Sequence, residues 1–133
     1  MTRPPLVINP FALSPEHHLL RRLNDREPTT LLDAVARVVQ LYPQFTVLGC
    51  AAPGQDPQPS AAAMRAWDAI AREPWTRAVR QGHRHGLVLT GQGELRLQDL
   101  WHREVITPYL RRVEHDLGEG AARQAAAELA RER

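Results

Sequence analysis

The side chains best equipped for chemistry cluster in one segment, Arg77–His85. Arg77, Arg80, His83, Arg84 and His85 fall in nine residues, and no acidic residue occurs between Pro74 and Gly93. The three arginines are spaced three and four apart, so a helix through this segment aligns them on one side, as phosphate neutralisation requires. A solvated helix end accounts for the same residues, because the helix dipole favours cations there. Other constellations are weaker. His83-x-His85 offers two ligands, with His102 or Cys50 as distant additions, but zinc sites show tighter pairs or several cysteines. His17 and His18 are adjacent, so on a helix they point apart. Cys50 ends an apolar run and reads as a small core residue. Asp99, Glu104, Glu114 and Asp116 interleave with Arg96, Arg103, Arg111 and Arg112, a pattern of ordinary surface pairing. Gly91-Gln92-Gly93 lacks the third glycine of a dinucleotide loop. The expectation is therefore no catalytic residue, no metal and no cofactor, and an enzyme ranks third among the functional classes.

Composition sets the frame for these residues. A chain of 133 residues suits one domain, and it is long enough to fold without disulfides or a structural metal. One cysteine precludes an intramolecular disulfide and points to a reducing, cytoplasmic setting. Prolines 4, 5 and 10 break up the apolar start, and no apolar run approaches the length that spans a bilayer, so no membrane association is expected. All 17 basic residues are arginine, which suits forked binding of phosphate or carboxylate. GC-rich coding explains the same bias more simply, given the abundance of Ala, Pro and Leu. The formal net charge of +2 does not by itself imply a nucleic-acid partner.

The elements that must position these groups follow from caps and periodicity. Residues 1–13 read as an N-terminal arm and 14–118 as a single compact domain. Ser14-Pro15 starts a short helix to about Leu23. Thr30-x-x-Asp33 opens an amphipathic helix through Leu31, Val35, Val38, Val39 and Tyr42, stopped by Pro43. Phe45–Cys50 reads as a buried strand and residues 51–59, rich in proline, as an exposed irregular connector. Ser60 caps the next helix, with Trp67 and Ile70 inward. Pro74 is read as opening a further short helix carrying Trp75, Ala78 and Val79, ending at Gly82. Residues 86–97 read as a hairpin turning at Gly91-Gln92-Gly93, or as a helix capped by Thr90; the hairpin is preferred because two glycines weaken a helix start. Helix resumes over Asp99–Ile106, and Thr107-Pro108 is a cap or a kink. Tyr109, Leu110, Val113 and Leu117 make the last apolar stripe. Residues 119–133, rich in Ala, Arg and Glu with Leu129 as the one large apolar side chain, form a helix that is frayed or held in an oligomer contact. The fold class is α+β, predominantly helical, with four or five helices and a small hairpin or minor sheet.

Leu89-Thr90-Gly91-Gln92-Gly93-Glu94-Leu95-Arg96-Leu97 is similar to the segment that closes the wing and opens the last helix in winged-helix regulators of the MarR and PadR type. The resemblance covers these nine residues. It implies a DNA-binding regulator in which the basic segment Arg77–His85 forms the recognition helix and the long C-terminal helix a dimerisation arm. From the residues alone the leading expectation is a non-enzymatic binding or adaptor subunit in a homo-oligomer or larger assembly. Its partner, itself or another protein, is contacted through Tyr109, Leu110, Val113, Leu117 and Leu129. Duplex DNA bound by Arg77, Arg80, His83, Arg84 and His85 is the alternative.

Overall fold

A computed structural model describes residues 3–132, and it has the predominantly helical α+β architecture. Helix α1 spans Pro15–Leu20, α2 Leu31–Leu41, α3 Ala61–Ala71, α4 Gly91–Trp101, α5 Thr107–Leu117 and α6 Glu119–Arg131. Two antiparallel pairs complete the structure: β1 (Gly49–Cys50) with β2 (Gln58–Pro59), and β3 (Thr76–Gln81) with β4 (Arg84–Leu89). The starts of four helices follow local chemistry. The hydroxyls of Ser14, Thr30, Ser60 and Thr90 each accept from the backbone N–H three residues on, filling donors the first turn leaves open.

The principal core joins α1, α2, α3, β4 and α4. Leu19, Leu20, Val35, Val38, Leu48, Ile70, Leu87, Leu89 and Leu100 interdigitate there. Helix α3 turns Ala63, Ala66 and Ile70 inward, while Trp67 packs only partly buried at the edge of that core, a smaller role than its periodicity suggests. The connector at 51–59 is mostly exposed. Its last two residues nonetheless pair with Gly49–Cys50, so the expected strand over 45–50 shrinks to its final two residues.

The β3–β4 hairpin corrects two expectations at once. Residues 74–82 are not a helix, and the hairpin does not turn at 91–93. Six consecutive residue pairs run from Thr76↔Leu89 to Gln81↔Arg84, and Gly82 and His83 make the turn. Gly82 has φ +61°, at the first central position where a type II′ turn places glycine. A third partner joins this sheet: Thr29 exchanges backbone hydrogen bonds with Leu87 at 2.9 and 3.0 Å. Gly86 permits that approach, because a Cβ there would collide with the Thr29 backbone.

Thr90 ends β4 and starts α4 in one step. Its N–H donates to the Trp75 carbonyl at 3.0 Å, and its hydroxyl donates to the Pro74 carbonyl at 2.5 Å. Anchored in this way, the cap offsets the weak helix propensity of Gly91 and Gly93. From Gly91 to Leu117 the backbone stays helical, interrupted by a π turn over His102–Ile106. Thr107 N–H donates to the His102 carbonyl, five residues back. The wider turn stands immediately before Pro108, which has no N–H to give and whose ring would crowd the Glu104 carbonyl, four residues back, in a regular helix. Gly118 then lets α6 fold back on α5. Tyr109, Val113 and Ala125 are buried between them, with Leu6, Leu110, Leu117 and Leu129 packed around. Residues 119–131 are thus a helix of an intramolecular hairpin.

Candidate functional site

The hairpin carries every member of the basic segment, but on strands rather than a helix. Alternation along paired strands puts Arg80 and His85 on one face, continuous with Thr76, Ala78, Leu87 and Leu89. Arg77, Val79, Gln81, Arg84, Gly86 and Val88 share the other face. The three arginines therefore do not form one stripe, because the spacing that aligns side chains at a period of 3.6 separates them at a period of two. All five basic residues, Arg77, Arg80, His83, Arg84 and His85, are exposed. Arg80 and His85 line a shallow groove with Trp67 of α3. Arg84, His83 and His85 border a second groove with Thr30, Asp33 and Arg37 at the start of α2. Among the described residues the one ion pair of this group is Arg84–Glu27 at 3.8 Å, largely exposed on both sides and of little energetic weight.

The helix that precedes this hairpin is α3. It exposes Met64, Arg65 and Asp68, a surface that sequence reasoning passed over because the basic segment was read as the helix. The legible signal was Ser60, whose capping hydroxyl fixes where α3 begins.

Of the expected oligomer contacts, Tyr109 and Val113 are buried within the α5–α6 hairpin, and Leu110, Leu117 and Leu129 are partly covered in the same cluster. The N-terminal arm helps to cover them. Tyr109 donates its hydroxyl hydrogen to the Pro4 carbonyl and accepts from Arg3 at 3.0 Å, while Arg3 pairs with Glu128 at 3.0 Å. That hydrogen bond from Arg3 to Tyr109 leads the influences that raise the arginine's pKa. The apolar surface left beside this cluster is a groove lined by Leu6, Trp101, Ile106, Leu110, Ala126 and Leu129.

Sequence reasoning also gave no role to the buried pair His17 and His18. His17 is wholly buried, with Nδ1 3.0 Å from Glu104 Oε1 in the π turn. The same carboxylate oxygen accepts from the Ser14 N–H at 2.7 Å. His18 is 2% exposed and donates from Nε2 to the Pro10 carbonyl at 2.7 Å. Its ring packs against Phe45 and Tyr42. Burial lowers the pKa of both histidines, outweighing the bonds to Glu104 and Pro10. Burial by itself would raise Glu104, but its bonds from Ser14 and His17 outweigh that and hold the carboxyl below its ordinary value.

A carboxylate-oriented histidine is also a component of general-base and metal sites. Here His17 Nε2 is buried in the interior with no hydrogen-bond partner among the described residues. Among the described residues no three of His, Cys, Asp and Glu come together to hold a metal ion. Cys50 is exposed, contrary to its reading as a core residue. No helix among the described residues is long and apolar enough to cross a membrane. Compared with protein-family models, with curated proteins and with solved structures, the chain matches none.

Proposed function

We propose that the chain is a non-enzymatic DNA-binding protein of winged-helix type, in which α3 meets the duplex and the β3–β4 hairpin is the basic wing. One observation carries the reading: the order of elements. A helix, a single bridging strand position at Thr29, two helices and a hairpin whose last strand feeds a capped helix follow one another around one core. The resemblance at Leu89–Leu97 agrees with this order, since Thr90 closes the hairpin and opens α4. The recognition role moves from Arg77–His85 to α3, and Arg77, Arg80 and Arg84 become phosphate contacts on the wing.

Three such contacts per protomer make log K for duplex DNA fall with log[salt] at a slope of roughly −3, about 0.9 per phosphate. Replacing Arg77, Arg80 and Arg84 by alanine should flatten the slope and leave the far-ultraviolet circular dichroism unchanged. Flat titrations of the native protein at low salt overturn the proposal.

The apolar groove between Leu6, Trp101, Ile106, Leu110 and Leu129 favours a second reading, an adaptor that joins its own copy or another protein through the C-terminal helices. Light scattering separates the two. An oligomer weakened by Leu129→Glu, with no duplex binding, supports the adaptor.

A further inference from the structure

The molecule has two apolar cores, one in the α1–α4 head and one between α5 and α6. Two stretches of chain link them: the long helix through its π turn, and the arm at residues 3–13. The arm holds the tail through Arg3, Pro4 and Leu6. At its other end Pro10 bonds His18, and Phe11 packs edge-on against Phe45, ring centroids 5.2 Å apart. Each link is therefore fastened to the head by one of two adjacent buried histidines: His17 takes the π turn through Glu104, and His18 takes the arm through Pro10. Their divergence on α1 is what lets neighbouring residues secure separate links.

We infer that this histidine pair is an acid-sensitive joint: while both rings are neutral the tail is held on the head, and their protonation in mild acid releases it. Neutral His17 donates from Nδ1 to Glu104 and needs nothing at Nε2. A proton placed on that nitrogen is a buried donor and charge with no acceptor in reach. Protonating His18 puts a second charge beside the first, among Phe45 and Tyr42. The surrounding charges do not compensate. Arg22, just beyond α1, repels a proton on either ring, Arg21 repels one on His17, and Arg37 of α2 bonds the Arg22 carbonyl at 2.8 Å. Across the groove that Glu104 lines stand Glu16, Glu73, Arg96 and Arg103, with Arg96 and Arg103 both paired to Asp99. Facing α1, the remainder of α2, α3 and α4 contributes apolar core residues such as Val35, Ile70 and Leu100. Glu104 alone stabilises the charged form of His17 directly, so it sets how acidic the solution must be before the joint opens.

The test reads geometry and is independent of either functional proposal. Cys50 is exposed on the head, and Ala127→Cys places a second thiol on the exposed side of α6. Spin labels on these two sites in the full chain should give one narrow distance at pH 7.5 and a broadened, longer distribution at pH 5, with helical circular dichroism retained. In the His17→Gln, His18→Gln double variant the distance should stay narrow at both pH values. In Glu104→Gln the change should occur at higher pH than in the native protein. An unchanged distance at pH 5 overturns the inference, as does broadening that persists in the double variant or coincides with loss of helix. If the double variant does not fold at pH 7.5, Glu104→Gln decides: an upward-shifted midpoint supports the joint and an unshifted one overturns it.

Discussion

The two buried histidines also make global stability depend on pH, with a magnitude that follows from their burial. Both have folded-state pKa values lowered from 6.5, so between neutral and mildly acidic pH the unfolded chain binds protons that the folded chain refuses. Stability is then fully present above the unfolded value and is lost as pH falls through it. A histidine that titrates at 6.5 when unfolded loses at most about 1.4 kcal/mol between pH 7.5 and 5.5, the limit for a ring that stays neutral when folded. For two of them the loss is at most about 2.7 kcal/mol, against the 5–15 kcal/mol typical of a domain. Glu104 works in the opposite range. Its pKa is lowered, so its contribution is present above the ordinary carboxylate value and is lost only below pH 4–5. Urea unfolding at pH 7.5 and 5.5 measures the difference directly. With a urea slope of about 2 kcal/mol per molar, the midpoint should drop, by at most about 1.3 M. The His17→Gln, His18→Gln variant should lose most of that dependence, because the other four histidines lie at the surface. A native midpoint that moves by less than about 0.3 M, or moves equally in the variant, refutes the argument.

Two further outcomes test the packing. Gly86→Ala should cost at least about 2 kcal/mol in urea unfolding and abolish hydrogen-exchange protection at the Thr29 and Leu87 amides, since a Cβ collides with the Thr29 backbone; a change under about 0.5 kcal/mol means the third strand position is not held as described. Ile70→Ala should cost about 2–5 kcal/mol and more than Trp67→Ala, because Ile70 is fully enclosed and Trp67 is not; the reverse order would show that Trp67 is the deeper residue.

Caps and apolar periodicity made much of the head legible from the sequence. Ser14, Thr30 and Ser60 start their helices as expected, because a capping hydroxyl acts within three residues of itself. The alternatives at Thr90 were balanced locally. Two glycines argue against a helix there, and the cap prevails through the carbonyls of Pro74 and Trp75, sixteen and fifteen residues back.

What the residues determined by themselves, then, is the helix starts at Ser14, Thr30 and Ser60, the predominantly helical class and the basic character of residues 77–85. Tertiary structure decided what that basic segment is. Thr76–Gln81 contains Ala, Arg and Gln, which favour a helix, and its two arginines stand three residues apart. It is a strand because β4 pairs with it over six positions and Thr29 pairs with Leu87 beyond. Pairing of that kind joins residues distant in the chain and overrides a propensity of a few tenths of a kcal/mol per residue. The same holds for His17 and His18. Adjacency in sequence shows only that they diverge; their burial and their partners in Glu104 and Pro10 exist only once the long helix and the arm have closed over α1.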